Sequence, residues 1–167
     1  MTQADPWLKY DPHQVKARLS LGAEPGKITT TNNGTKGNDW LREKSGAGLV
    51  NAVNSVNSSI TKNCDSGYLN HNNIISYNSQ TIYLQKNQKI RAVVAYGQRE
   101  LGDQLTYIEF SLRNSSGTKV STSPSSDNNV HIIEYTASQA GNYHFNVSLI
   151  NLLYGGRCHY ALEWRIT

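Results

Sequence analysis

The stretch 103–166, DQLTYIEFSLRNSSGTKVSTSPSSDNNVHIIEYTASQAGNYHFNVSLINLLYGGRCHYALEWRI, decides the fold class. Apolar and polar residues alternate along it. Ile108, Phe110 and Leu112 share one face of their segment, as do Tyr143, Phe145, Val147 and Leu149, and then Tyr160, Leu162, Trp164 and Ile166. Successive side chains of an extended strand point to opposite faces, so this spacing predicts strands with one buried side. Turn-formers separate the runs: Asn114 to Gly117, Pro124 to Asn129, Gly141-Asn142 and Gly155-Gly156. Short strands punctuated in this way predict a mainly β, antiparallel sandwich or barrel.

Upstream, Gln80–Gln85 and Lys89–Tyr96 are two further strand-like runs around Lys86-Asn87-Gln88, the pattern of a hairpin. The first third of the chain differs. Asp11 suits an N-cap, Pro12 the first helical position and Gln14 a capping box, so a short helix is predicted from there to Gly22, with Val15 and Leu19 on its apolar side. A second helix is predicted over Ser45–Ile60, where Leu49, Val50, Val53 and Val56 recur at helical spacing after Gly46 and Gly48. A polar joint follows, and the domain boundary is placed near Lys62, giving parts 1–62 and 63–167.

The chain has 167 residues and a formal charge of +4, with its basic residues scattered singly. Nucleic-acid binding needs Lys and Arg gathered on one face, and that class is set aside. No apolar run reaches the roughly 18–20 residues that span a bilayer. Met1 to Asp11 is polar, with Pro6 and Pro12 close by, unlike a signal peptide. A piece cut from within a secreted precursor would lack one too.

Two segments carry a resemblance. Pro12-His13-Gln14-Val15-Lys16-Ala17-Arg18-Leu19, followed by Ser45-Gly46-Ala47-Gly48-Leu49-Val50-Asn51-Ala52, resembles the closing part of a subtilisin-like (subtilase) serine-protease catalytic domain. There a PxxVKxxL helix follows the nucleophile helix and a GxGLVNA segment opens the last one. The later residues Asn114, Gly117, Ser125, Ser126, Asp127, Asn128, Val130, Gly141, Tyr143 and Val147 are similar to the jelly-roll β-sandwich that many secreted subtilases carry after the catalytic domain. The resemblance implies a sandwich preceded by a small helical remnant of the α/β catalytic domain, and an extracellular setting. It also implies a protein substrate for the parent protease. The partner of this chain would be the upstream catalytic segment or another copy.

The reactive groups of such a protease are not in these residues. The family's serine lies in a GTSxA segment, and neither that motif nor GxSxG occurs. His13, His71, His131, His144 and His159 are expected at surface or edge positions, and no catalytic residue is nominated. Cys64 and Cys158 sit in no CxxC or Cys/His cluster, so zinc is not expected. A Cys64–Cys158 disulfide is expected instead in an oxidising compartment. It would close a loop of about 95 residues and stabilise by roughly 4–5 kcal/mol; two buried thiols are the other outcome. Asp103, Asp127, Asn128 and Asn129 offer oxygens of the kind calcium takes, against the plainer reading of an Asx-rich turn. Sequons at Asn33, Asn57, Asn114 and Asn146 are near chance in so Asn-rich a chain.

Two functional expectations follow. The first is a non-catalytic C-terminal part of a secreted subtilisin-like endopeptidase, its sandwich serving stability, secretion or substrate positioning. The second is a carbohydrate-binding or adhesive sandwich, with Trp7, Trp40, Trp164 and the tyrosines as stacking surfaces. Trp164 is in phase with core residues, which counts against it in that role.

Overall fold

The computed structural model describes residues 11–23, 51, 53–55, 63–70, 75–97, 100–101, 104–105, 107–123, 129–151 and 157–167. Within them the chain forms α1 (Pro12–Gly22), β1 (Cys64–Asn70), β2 (Ser76–Asn78), β3 (Ile82–Leu84), β4 (Lys89–Tyr96), β5 (Glu100–Leu101), β6 (Gln104–Leu105), β7 (Tyr107–Asn114), β8 (Lys119–Thr122), β9 (Val130–Thr136), β10 (Gly141–Asn151) and β11 (Arg157–Ile166). One sheet has the order β1-β11-β4-β9, and the second β2-β10-β7-β8 with β3 also on β10. Every pairing is antiparallel. β2 and β3 lie along the two halves of β10 and act as one broken edge strand. Apart from the small β5–β6 ribbon, the chain then visits the sheets in the order first, second, first, second, second, first, second, first. That is the strand order of a jelly roll.

The alternation predicts the core faces. Ile108, Phe110, Leu112, Tyr143, Phe145, Val147, Tyr160, Leu162 and Trp164 are all buried in one cluster, with Leu149 and Ile166 partly buried at its margin. The Phe145 ring packs 5.5 Å from Phe110 and 5.8 Å from Trp164, which joins the two sheets. Each fully buried side chain of this size contributes roughly 1.5–3 kcal/mol. The hydroxyl of buried Tyr143 donates to the Gln139 carbonyl at 3.1 Å.

The runs on either side of Lys86-Asn87-Gln88 are not a hairpin. The turn forms, with Asn87 at φ 69 and the Gln88 amide donating to the Gln85 carbonyl. But β3 pairs with β10 in the second sheet, while β4 pairs with β11 and β9 in the first. Turn chemistry is local, and the choice of strand partner is not. The break between β2 and β3 is closed by Ser79. Its amide donates to the Phe145 carbonyl at 2.8 Å, and its hydroxyl accepts the Phe145 amide at 2.9 Å.

The expected disulfide is absent: Cys64 and Cys158 are not joined. Cys64 stands opposite Glu163, whereas Cys158 stands opposite Leu69, so the two lie five ladder steps apart. At about 3.3 Å per residue that separation is far beyond a disulfide's reach. The parity also differs, and Cys158 points into the core, where burial pushes its thiol up to about 11.

His131 is likewise not at the surface. It stands opposite Val94 on the inner face, is only 2% exposed, and packs against Tyr96 at 5.6 Å between rings. Among the described residues neither ring nitrogen has a hydrogen-bond partner, and burial lowers its pKa from 6.5 to about 4. The native imidazole stays neutral while the unfolded one takes up a proton below pH 6.5. Stability is therefore full above that pH and falls as pH drops toward 4, by up to about 3 kcal/mol from this residue. In urea melts at pH 7 and pH 4.5, His131→Leu should lose less stability on acidification than wild type. Equal losses would show that His131 is not the acid-sensitive group.

Candidate functional site

β4 reads Lys89-Ile90-Arg91-Ala92-Val93-Val94-Ala95-Tyr96, and all but Lys89 are buried. Such a strand needs cover on both faces. Inside, the second sheet covers Ile90, Ala92, Val94 and Tyr96; outside, α1 covers Val93 and Ala95 together with Ile132 and Ala161. Ala17 and Leu21 face this surface, and small residues on both sides let the helix lie close.

Asp11 caps α1, its Oδ1 accepting the Gln14 amide at 3.0 Å. His13 rests on Gly97, where a Cβ would come within 3.3 Å of its ring. Lys16 donates to the Asn129 side chain. Near the other end, Arg91 pairs with Glu134 and donates to the Ser20 carbonyl at 3.3 Å, serving one of the helix's terminal acceptors. Between these, Arg18 meets Glu163. Arg18 Nε donates to Glu163 Oε1 at 2.9 Å, and Nη2 lies 2.7 Å from the same oxygen. Both side chains are out of contact with water.

The buried side of α1 is therefore Ala17, Arg18, Leu21 and Gly22, while Val15 and Leu19 are only half-buried beside it. The second predicted helix is described at Val53–Ser55, where Asn51 Oδ1 accepts the Asn54 amide as a cap. There Val53 is 69% exposed and Ser55 is buried, the reverse of the predicted phase. Gly22 touches this turn. A Cβ on it would come 2.3 Å from Ser55 Oγ and 2.7 Å from the Ser55 amide nitrogen, so a side chain there forces the turn away.

Where α1 begins, a cleft of about 360 Å³ opens between its first turn and the β1–β11 pair. Asp11, Pro12, His13, Ser66, Gly67, Tyr68, His159 and Tyr160 line it. The ladder sets Tyr68 opposite His159, their rings 6.1 Å apart. Arg157, opposite Asn70 and two ladder steps beyond Tyr68–His159, stands 4.6 Å over the Tyr68 ring. Nothing in the sequence marks this group, because its members lie in three distant segments.

Of the four expected calcium ligands only Asn129 is among the described residues. Asp103, Asp127 and Asn128 lie outside them, and Asn129 is engaged by Lys16. No group of three His, Cys, Asp or Glu residues fit to hold a metal occurs among the described residues. Trp164 is 2% exposed in the core and offers no stacking surface; Trp7 and Trp40, His71 and the boundary near Lys62 lie outside the described residues. Among the described residues no helix is long and apolar enough to cross a membrane.

No protein-family model matches this chain, and no curated protein matches it. Among solved structures, Aeromonas hydrophila PliG, a periplasmic lysozyme inhibitor of g-type lysozyme, overlays with a TM-score of 0.43. The identity is 11%, over 62% of this chain and 84% of that one. A likeness at that level carries no argument about function.

The ion pair gives a direct test. Arg18→Leu or Glu163→Leu removes one half of a buried ion pair and should cost about 3–5 kcal/mol in denaturant unfolding, whereas the double substitution should recover most of the loss. A double variant as unstable as the singles would mean that packing around these positions, not charge, sets the cost.

Proposed function

We propose that this chain is the carboxy-terminal part of a secreted subtilisin-like serine endopeptidase. In this reading residues 1–62 finish the catalytic domain, and residues 63–167 form a non-catalytic sandwich that buttresses it. The observation that carries the reading is the way α1 is docked. One side of the helix is locked to the sandwich through Arg18–Glu163 and the Ala17–Leu21 packing. The neighbouring Val15–Leu19 stripe remains only half-buried. A helix held in this way can present that stripe to the rest of a catalytic domain, so the sandwich would brace the enzyme through a rigid contact. The sequence resemblance supplies the identity of that enzyme; the jelly-roll strand order agrees with the accessory domain that the resemblance implies.

An extracellular location belongs to the same proposal, as does a protein substrate for the parent enzyme. The partner is the catalytic segment itself. Reading the coding region upstream of residue 1 should find a GTS-type serine. Co-expressing that region with this chain should then give proteolysis blocked by serine-directed inhibitors. Replacing Leu19 by Asp should weaken association of the two parts while leaving the unfolding midpoint of the isolated chain nearly unchanged. An upstream region without the serine, or two parts that do not associate, would overturn the reading.

A further inference from the structure

The cleft at the start of α1 is not used by the buttressing role. Its size lies at the small end of ligand sites, which run from about 300 to 1,000 Å³, and suits one or two rings rather than a long chain. Its lining is mixed. Tyr68 is part of it, and the negative face of a tyrosine ring attracts C–H groups. Asp11, His13, Ser66 and His159 bring hydrogen-bonding groups around it. Asp11 is held in place by its own capping bond, which uses Oδ1 and leaves the second carboxylate oxygen to accept from a ligand. Arg157 steadies the Tyr68 ring from beyond the cleft.

The charges narrow the ligand class. An anion would meet the Asp11 carboxylate. The helix N-terminus is also a poor anion site here, because Pro12 has no amide hydrogen and Asp11 already accepts from Gln14. A wholly apolar ligand would strand the polar groups of the lining. A ligand with a flat C–H face and a rim of hydroxyls satisfies both kinds of lining at once. We infer that the cleft formed by Asp11, His13, Ser66, Tyr68 and His159 binds a neutral sugar ring, which would give the sandwich an anchor to glycan independent of its buttressing role.

The test is calorimetric titration of the whole chain with glucose, galactose, mannose, N-acetylglucosamine and their β1,4-linked disaccharides, with phosphate and acetate as anionic controls. At least one neutral sugar should bind saturably at one site. Loss of the stack in Tyr68→Ala, or of the charged acceptor in Asp11→Asn, should weaken it by about tenfold or more. Asn is itself a good N-cap, so the second variant keeps α1 intact should the first fail to fold. Tyr83→Ala removes a 61% exposed ring on the edge of the other sheet and should change nothing. The inference is overturned if no sugar saturates, if phosphate or acetate binds in preference, or if Tyr83→Ala weakens binding as much as the cleft variants.

Discussion

Glu163 is a carboxylate on the outer face of a central strand, shut off from water, and Arg18 neutralises it from the helix above. Desolvating two charges costs several kcal/mol per ion, so the pair is no simple gain in stability. Its effect is to fix one arrangement. A helix slid or rotated on that sheet would break this buried ion pair. The position of α1, and with it the cleft at its first turn, depends on this match.

The same constraint explains why α1 packs on the outer face of the first sheet. β4 is apolar on both sides, and a jelly roll by itself covers one face of each sheet. The outer face of β4 and β11 needs a lid, which α1 supplies with small residues and one buried cation. The contacts at Gly97, Glu163 and Arg91 place the helix along the sheet at three points. A sandwich that holds a helix at three points transmits its own stability to that segment.

The sheets manage their edges by local devices. The β2–β3 edge is broken at Ser79, whose hydroxyl replaces a ladder acceptor for Phe145. A broken edge is a poor template for another chain's strand. The polar turn between β7 and β8 is tied by Asn114, whose side chain accepts from the Thr118 amide and the Ser116 hydroxyl, with Gly117 at φ 80. The bonds of this turn join residues at most four apart, and the turn was legible for that reason.

By itself the sequence determined the period-two faces, the positions of the turns and the capped start of α1. Each is set by residues within a few positions of one another: Ile108 to Leu112 in one strand, Asn114 to Gly117 in one turn, Asp11 to Gln14 in one cap. Tertiary structure alone decided what those elements met. It sent β3 and β4 to opposite sheets, put Cys64 and Cys158 on opposite faces five steps apart, and turned His131 inward opposite Val94. It also paired Arg18 with Glu163 and gathered Asp11, His13, Tyr68 and His159 around one cleft. The reason is that strand partner and helix docking are settled by which surfaces can be buried together without an unmatched charge, and that condition joins residues far apart in the chain.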